Sequence, residues 1–415
     1  MIERDYLIVG AGAAGAAVAQ ALRQYDAKGT VAMVGNEAFP PYHRQRMLET
    51  ILSGGKPAPK ENREKKNGAT ATGSAVAKAA KELEAISCFP PGWYSENLID
   101  LRLDTLITQF NIERRLAVLN DGQVIRFRKA CLAMGSRPVR PRVAGAHLGH
   151  IIPARTLRDI LALREIAPTV KNIVVIGGGF VATEAASALR RLGCTVAIMS
   201  RHRHLWHNRL DAETAAWLTG YFQSHEIPVF QESLNGFEGK TVLQNIQTKS
   251  GRSIPAGVAL LALGTELNLG LVMKTPLVTA DGTGTPVNDH FETDEKGIYA
   301  VGDIALYPDS HFGGTRRSPF PETTLQQAAV AGANITGKKR QRFKGLPHHR
   351  TRALDLQFDF VGDFGNAPVR FEIDGEHAQR QFTARYFRGN KPVGILLCNQ
   401  PDEAIEAAKA ALANG

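Results

Sequence analysis

Residues 5–25, DYLIVGAGAAGAAVAQALRQY, join a short apolar run to an alanine-rich segment through a glycine-rich turn. The apolar run is typical of a buried β-strand, and the alanine-rich segment is typical of a helix. Gly10, Gly12 and Gly15 follow the spacing G-x-G-x-x-G, which permits a tight turn, close approach of a pyrophosphate and close packing of helix on strand. Free N–H groups at the helix start can bind phosphate. We therefore predict a dinucleotide-binding βαβ unit, completed by the strand TVAMVG.

The same pattern returns in residues 172–191, NIVVIGGGFVATEAASALRR. Gly177 and Gly179 hold the first two glycine positions, and Ala182 holds the third, where any small side chain is sufficient. One glycine-rich turn is weak evidence, but a repeated strand–turn–helix unit is strong evidence. The sequence therefore predicts an α/β fold with two Rossmann-like dinucleotide-binding domains.

The residues after each second strand indicate which nucleotide each unit binds. Ser200, Arg201 and Arg203 occupy the place where an acid would bond the ribose 2′-hydroxyl of NAD. Arginine there accommodates a 2′-phosphate, so we expect NADPH, with NADH less favoured. A solvated basic loop that does not discriminate between them is the alternative. In the first unit, Asn36 and Glu37 hold this position without an arginine, which suits the adenosine of FAD.

Composition and charge limit the functional classes. The 415 residues carry a net charge of +10, and four cysteines lie far apart without metal-ligand spacing. We therefore expect a reducing, cytoplasmic compartment and no metal site. No stretch approaches the roughly 18 apolar residues of a membrane span. The basic residues are dispersed and no nucleic-acid-binding motif accompanies them, so we expect a soluble enzyme with anionic cofactors, as a monomer or homodimer.

Four further segments carry a resemblance to a known family. GIYAVGDIA, residues 297–305, resembles the third FAD signature of the glutathione-reductase-like flavoproteins, in which the aspartate meets the ribitol and pyrophosphate. CLAMGSRP, residues 131–138, and ALLALGTELN, residues 259–268, resemble the two crossovers between the domains of that family. VGNEAFPPYHRQRM, residues 34–47, resembles the branch of ferredoxin, rubredoxin and putidaredoxin reductases, monodehydroascorbate reductase and apoptosis-inducing factor.

The resemblance implies a split FAD domain, residues 1–142 and 268–337, an inserted NAD(P) domain, residues 143–267, and a C-terminal interface domain, residues 338–415. In such proteins hydride passes from the nicotinamide to the flavin. The expected FAD contacts are Gly10, Gly12, Ala14, Gly15, Asn36, Glu37, Arg44, Gly135, Gly302 and Asp303. The expected NADP contacts are Gly177, Gly179, Ser200, Arg201, Arg203 and Gly264.

Cysteine is absent where the disulfide reductases of this superfamily carry it. Residues 38–56 contain none, and thiol–disulfide exchange needs a thiolate beside the flavin. We therefore expect electrons to pass directly from the flavin to an acceptor. A small acidic ferredoxin is the leading expectation, because the basic chain would attract it.

One position departs from the ferredoxin-reductase pattern. The lysine expected beside the flavin is replaced by Glu49, while its partner Glu184 remains. Two carboxylates in one poorly solvated pocket would raise one pKa and hold a proton. Alternatively, the helix register differs, Arg46 supplies the positive charge and Glu49 faces solvent. Arg44 is expected to contact the flavin or diphosphate, with a surface salt bridge as the alternative.

Two further functions stay open. The altered site favours a flavin-dependent oxidase, dehydrogenase or reductase of a small organic substrate, with Glu49 or Glu184 as the proton donor. A non-catalytic flavoprotein that senses FAD or NADP is the third possibility. The histidine-rich stretches RHRHLWH and PHHR are expected to bind phosphate or face solvent. The lysine-rich segment 54–85 is interpreted as a surface insertion, with a mobile lid or docking arm as the alternative.

Overall fold

We describe a computed structural model of the chain, covering residues 1–52, 80–170, 172–365 and 370–414. The first βαβ unit consists of β1 (Ile2–Val9), α1 (Ala13–Tyr25) and β2 (Val31–Val34). The alanines of α1 favour a helix and let it lie close to the sheet. The predicted strand–turn–helix–strand unit is confirmed.

The next elements complete most of the first sheet. A short helix, α2 (Arg44–Met47), continues into a single π-helical turn, Leu48–Leu52. The following elements are α3 (Trp93–Glu96), β3 (Ile99–Arg102), β4 (Ile107–Asn111), β5 (Leu116–Leu119), β6 (Val124–Leu132) and β7 (Ser136–Pro138). The strand order is β3-β2-β1-β6-β5-β4, with parallel pairing from β3 to β6.

A second parallel sheet carries the second glycine-rich turn. Its strands and associated helices are β8 (Ile151–Pro153), α4 (Leu157–Ile166), β9 (Asn172–Ile176), α5 (Phe180–Arg191), β10 (Thr195–Ser200), α6 (Ala212–Ser224), β11 (Val229–Gln231) and β15 (Val258–Leu261). The order β11-β10-β9-β15-β8 places β9 centrally. A three-stranded antiparallel sheet of β12 (Leu234–Gly239), β13 (Leu243–Thr248) and β14 (Ser253–Pro255) precedes β15.

The two crossover segments run side by side. Strand β16 (Thr265–Leu267) pairs antiparallel with β7, so that Leu267 lies opposite Ser136. The chain therefore leaves the first sheet and returns to it through one two-stranded connection. The expected split of the FAD domain, with boundaries at residues 142, 267 and 337, stays a prediction.

After the crossover the chain returns to the first sheet. The elements are β17 (Thr285–Pro286), β18 (Ile298–Ala300), β19 (Ala305–Pro308), β20 (Thr315–Arg316) and α7 (Pro321–Thr336). Strand β18 pairs in parallel with β6. Helix α7 packs on α1, where Gly332 lies so close that an added Cβ would be 2.6 Å from the Ala21 methyl carbon.

The C-terminal segment forms a five-stranded antiparallel sheet with one helix. Its elements are β21 (His348–Ala353), β22 (Leu356–Gly362), β23 (Arg370–Glu376), β24 (Gln381–Arg388), β25 (Lys391–Cys398) and α8 (Asp402–Asn414). Strand β21 packs against both α5 and α7. One apolar core includes Leu52 of the π-helical turn, Leu189 of α5 and Phe358 of β22. The C-terminal sheet therefore lies where the two dinucleotide-binding sheets meet.

Candidate functional site: three adjoining cavities

The first cavity opens at the N-terminus of α1 and has a volume of about 170 Å³. Gly10 has a φ of +117°, and an added Cβ would lie 2.3 Å from the carbonyl oxygen of Ala133. Gly12 is the N-cap residue of α1 and makes no side-chain cap, and its added Cβ would meet nothing within 4 Å. Uncapped N–H groups beside open space fit a dinucleotide pyrophosphate.

The residues predicted to contact FAD surround this cavity. It is lined by Gly10, Gly12, Ala14, Asn36, Glu37, Arg44, Gly135, Gly302 and Asp303. Gly15 instead lies beneath the turn, where its added Cβ would be 2.1 Å from the carbonyl oxygen of Gly10. Its role is therefore to let the helix approach the strand, as the glycine spacing implies. The assignment of these residues to FAD remains a proposal.

Glu37 is held by two neighbours on the loop that leads to α2. Its carboxylate accepts hydrogen bonds from the Tyr42 hydroxyl at 2.7 Å and from Arg44 Nη2 at 2.6 Å. The Arg44 side chain is about one-third exposed and borders the cavity. Arg44 therefore makes the salt bridge that was the alternative expectation, and its contact with the flavin or diphosphate stays a prediction.

Asp303 is fixed by a side chain that the sequence reasoning missed. Its Oδ2 accepts a short hydrogen bond from the Ser136 hydroxyl and one from Arg155 Nη2 at 3.2 Å. Arg155 lies in the loop after β8 and borders both the first cavity and the second. No motif marks this arginine, because its importance comes from contacts with residues far away in the chain.

The second cavity, of about 560 Å³, repeats the design of the first. Gly177 has a φ of +140°, and its added Cβ would lie 2.2 Å from the carbonyl oxygen of Ala262. Gly179 is the N-cap residue of α5, makes no side-chain cap and faces open space. Gly264 also lines the cavity. The arrangement fits the pyrophosphate of a second dinucleotide.

The basic loop after β10 lies at the edge of the second cavity. Ser200, Arg201, His202 and His207 line it. The two imidazole rings stack with centroids 3.4 Å apart, and Arg201 Nε donates a hydrogen bond to His202 Nε2 at 2.8 Å. Arg203 is exposed and lies outside the lining, so its predicted contact with the nucleotide is not supported. Lys249, in the turn that follows β13, adds another cation to the lining.

A third cavity, of about 360 Å³, brings Glu49 and Glu184 together, as the sequence suggested. Burial raises the pKa of the Glu184 carboxyl to about 7. A hydrogen bond from the Thr351 hydroxyl, at 2.6 Å, opposes this rise, whereas the charges of Glu322 and Glu49 add to it. The expectation that two acids here raise one pKa is therefore supported, with Glu322 as an unforeseen third acid.

Glu49 itself is not deeply buried. Its side chain is 53% exposed and forms an ion pair of 3.1 Å with Arg352 of β21. Arg46 borders the same cavity. The two alternatives for this site are therefore both partly met, since Glu49 reaches the cavity and solvent while Arg46 brings a positive charge. Gln45 borders the first and third cavities and connects them.

The interpretation of PHHR as a solvated or phosphate-binding stretch is wrong. His348 and His349 begin β21 and are buried. His348 Nε2 lies 2.8 Å from Asp359 Oδ1. The His349 ring stacks on Phe320 at a centroid distance of 4.7 Å. Polar residue types suggested exposure, but packing of β21 against α5 and α7 buries them.

The remaining sequence expectations concern other residues of the chain. Most of the segment 54–85 lies outside the described residues, and residues 80–86 are helical. In the described part of the chain, no group of three or more His, Cys, Asp or Glu side chains is placed to bind a metal. No helix among residues 1–52, 80–170, 172–365 and 370–414 has the length and apolar character to cross a membrane.

Two dinucleotide-binding folds with adjoining cavities define a two-cofactor oxidoreductase. A family model described as pyridine nucleotide-disulphide oxidoreductase matches residues 4–334. The chain belongs to this family.

Proteins with known functions also resemble the chain. The benzene 1,2-dioxygenase system ferredoxin–NAD(+) reductase subunit of Pseudomonas putida is 28% identical over 369 residues, which cover 89% of this chain and 82% of that protein. Monodehydroascorbate reductase 3 of Arabidopsis thaliana is 26% identical over 407 residues, covering 94% and 88%. The covalent putidaredoxin reductase–putidaredoxin complex matches with a TM-score of 0.86 and 23% identity, covering 99% of this chain and 94% of that chain.

Proposed function

We propose that this protein is an FAD-dependent NAD(P)H oxidoreductase that passes hydride from NADPH to the flavin and electrons onward to a separate acceptor. The observation that carries the proposal is the side chain of Arg155, which borders both dinucleotide cavities and bonds Asp303. FAD supplies the two-electron carrier when bound. Anaerobic mixing of the flavin-loaded protein with NADPH should remove the absorbance of oxidised flavin. If neither NADPH nor NADH does so, the proposal fails.

The preference for NADPH rests on the basic side chains at the edge of the second cavity. Arg201, His202 and Lys249 favour a 2′-phosphate, and guanidinium can bind phosphate in bidentate fashion. Two of the relatives are named as ferredoxin–NAD(+) reductases, so the choice between the nucleotides needs a direct test. The Michaelis constants for NADPH and NADH should differ in favour of NADPH. Equal constants would remove the preference.

A ferredoxin-type protein is the proposed electron acceptor. The net charge of +10 would increase the encounter rate with an acidic partner, and salt would reduce that rate. The ferredoxin reductases among the relatives support this class of acceptor. Reduction of an acidic ferredoxin should slow as ionic strength rises, whereas reduction of a neutral dye should not. Identical salt dependence for both acceptors would contradict electrostatic recognition.

A small organic substrate is the second candidate acceptor. The third cavity favours it, because about 360 Å³ of polar space adjoins the first cavity through Gln45. Monodehydroascorbate reductases among the relatives are named for a small organic substrate. In this reaction Glu184 or Glu49 would donate a proton. The candidate would be discarded if Glu49→Gln left every acceptor activity and its pH profile unchanged.

A further inference from the structure

His349 is a buried histidine whose ring nitrogens have no partner. Its side chain is 9% exposed, and neither Nδ1 nor Nε2 makes a hydrogen bond. The ring stacks on Phe320 and contacts Phe180, with a centroid distance of 4.6 Å. Buried polar atoms are normally hydrogen-bonded, so an orphaned imidazole in an aromatic pocket calls for a role.

The pocket of His349 joins three parts of the fold. Phe180 begins α5 directly after Gly179 of the second glycine-rich turn. Phe320 precedes Pro321, which begins α7 and lines the first cavity. His349 comes from the C-terminal sheet. The imidazole therefore lies at the junction where the proposed nicotinamide and flavin sites adjoin.

Glu322 is the acid nearest to this imidazole. His349 Nδ1 and Glu322 Oε2 are 3.6 Å apart, slightly too far for a hydrogen bond. Glu322 Oε2 is also buried without a partner. A small movement would close the gap, and a proton held between the two groups would satisfy both orphaned atoms.

Glu184 links this pair to the third cavity. Thr351 lies two residues after His349 on the same face of β21, and its hydroxyl donates a hydrogen bond to the Glu184 carboxylate. Glu184 and Glu322 both line the cavity, and the charge of Glu322 helps to raise the pKa of Glu184. We name Glu184, Glu322 and His349 the acid–imidazole cluster. The cluster consists of two acids and one imidazole, and the third cavity, which its two acids line, opens to solvent.

Other charged groups also face this region. The cavity lining adds Arg46, Glu49, Arg191, Arg350 and Arg352, and the guanidinium of Arg209 lies 6.0 Å from the Phe320 ring centroid. Arg352 pairs with Glu49, and Arg350 pairs with Asp359. Glu322 and His349 instead keep buried atoms without a hydrogen-bond partner, so a proton added to the acid–imidazole cluster can form a new hydrogen bond there.

We propose that the acid–imidazole cluster takes up one proton from solvent when the adjoining flavin site receives two electrons, and releases it when those electrons leave. The inference rests on the proposed function, because it requires bound FAD. Two electrons and one proton convert oxidised flavin to its anionic reduced form. A second proton binds to the acid–imidazole cluster and offsets the negative charge of the reduced flavin, because a nearby anion raises the proton affinity of acids and imidazoles. Both protons return to solvent when the acceptor takes the two electrons.

Redox titration of the FAD-loaded protein against pH tests this proposal without any nicotinamide. Dithionite supplies the electrons, and the midpoint potential is measured from about pH 6 to about pH 8. One proton per two electrons gives a slope of about 30 mV per pH unit, and two protons give about 59 mV. We expect a slope near the two-proton value around pH 7 in the wild type. In Glu322→Gln and in His349→Phe the slope should fall towards the one-proton value.

Control variants and alternative outcomes separate the possible explanations. Glu113→Gln and His147→Phe change exposed residues outside the cavity and should keep the wild-type slope. An unchanged slope in both cluster variants would place the second proton on the flavin ring and overturn the proposal. A fall to the one-proton slope in only one of the two variants would overturn the pairing of His349 with Glu322. A one-proton slope in the wild type would also overturn it. Failure to bind FAD, or failure of both NADPH and NADH to reduce it, would instead contradict the proposed function.

Discussion

Replacement of Glu184 by glutamine should make the protein more stable at neutral and alkaline pH but not at acidic pH. In the folded chain the pKa of this carboxyl is about 7, compared with an ordinary value of 4.5. Between these two values the folded protein holds a proton that the unfolded chain has lost. Folding stability therefore falls as pH rises through this range and then remains level.

The size of the effect follows from the two pKa values. They differ by about 2.5, and each unit corresponds to about 1.36 kcal/mol, so the carboxylate costs up to about 3 kcal/mol above pH 7. Glutamine is neutral at every pH, and its side-chain oxygen can still accept the hydrogen bond from Thr351. The gain of Glu184→Gln should therefore approach about 3 kcal/mol at high pH and vanish near pH 4.5.

Urea unfolding at a fixed FAD concentration provides the assay. Wild type, Glu184→Gln and the exposed control Glu113→Gln are compared at about pH 5 and about pH 8. Only Glu184→Gln should show an unfolding midpoint that exceeds the wild-type midpoint more strongly at the higher pH. The same difference at both pH values would show that Glu184 has an ordinary pKa, and the assignment of a buried acid would be wrong.

Further predictions address the other sites. Gly10→Ala should sharply reduce FAD content, and Gly177→Ala should leave FAD bound but weaken NADPH binding, because each new methyl would meet a backbone carbonyl. FAD absorbance and NADPH titration check this pair, and equal loss of both nucleotides in either variant would contradict it. Arg201→Ala should raise the Michaelis constant for NADPH roughly tenfold and leave that for NADH unchanged. His349→Phe should raise the free energy of unfolding by about 1 kcal/mol or more, because it removes two unsatisfied buried nitrogens. Urea unfolding checks this, and a midpoint below that of the wild type would show that these nitrogens are hydrogen-bonded.

The glycine-rich turns could be predicted from the sequence because their causes are local. Gly10 and Gly177 adopt backbone conformations and make carbonyl contacts that exclude a side chain. The alternation and helix patterns of the flanking segments are also local. These features indicated the two sheets, their order in the chain and the sheet edges where we propose that phosphate binds.

Residues defined by contacts across the chain could not be predicted in this way. Arg155 matters because it meets Asp303, which is 148 residues away. His349 is buried because β21 packs on α5 and α7, so its polar character misled the sequence reasoning. Glu49 could be singled out from the sequence because the family pattern has a lysine at this position. Its ion pair with Arg352 could not be predicted, because it depends on how β21 packs.

Strand β21 is separate from the two glycine-rich turns, so the chemistry at the junction and the proposed binding of the nucleotides depend on different parts of the fold. The glycine-rich turns follow the carboxyl ends of β1 and β9, where we propose that the nucleotides bind. A six-residue strand from the five-stranded C-terminal sheet supplies His349, Thr351 and Arg352 to the junction. Exchange of these side chains changes the chemistry at the junction without altering a glycine-rich turn. The chain can therefore diverge towards new acceptors through one short strand while both glycine-rich turns stay intact.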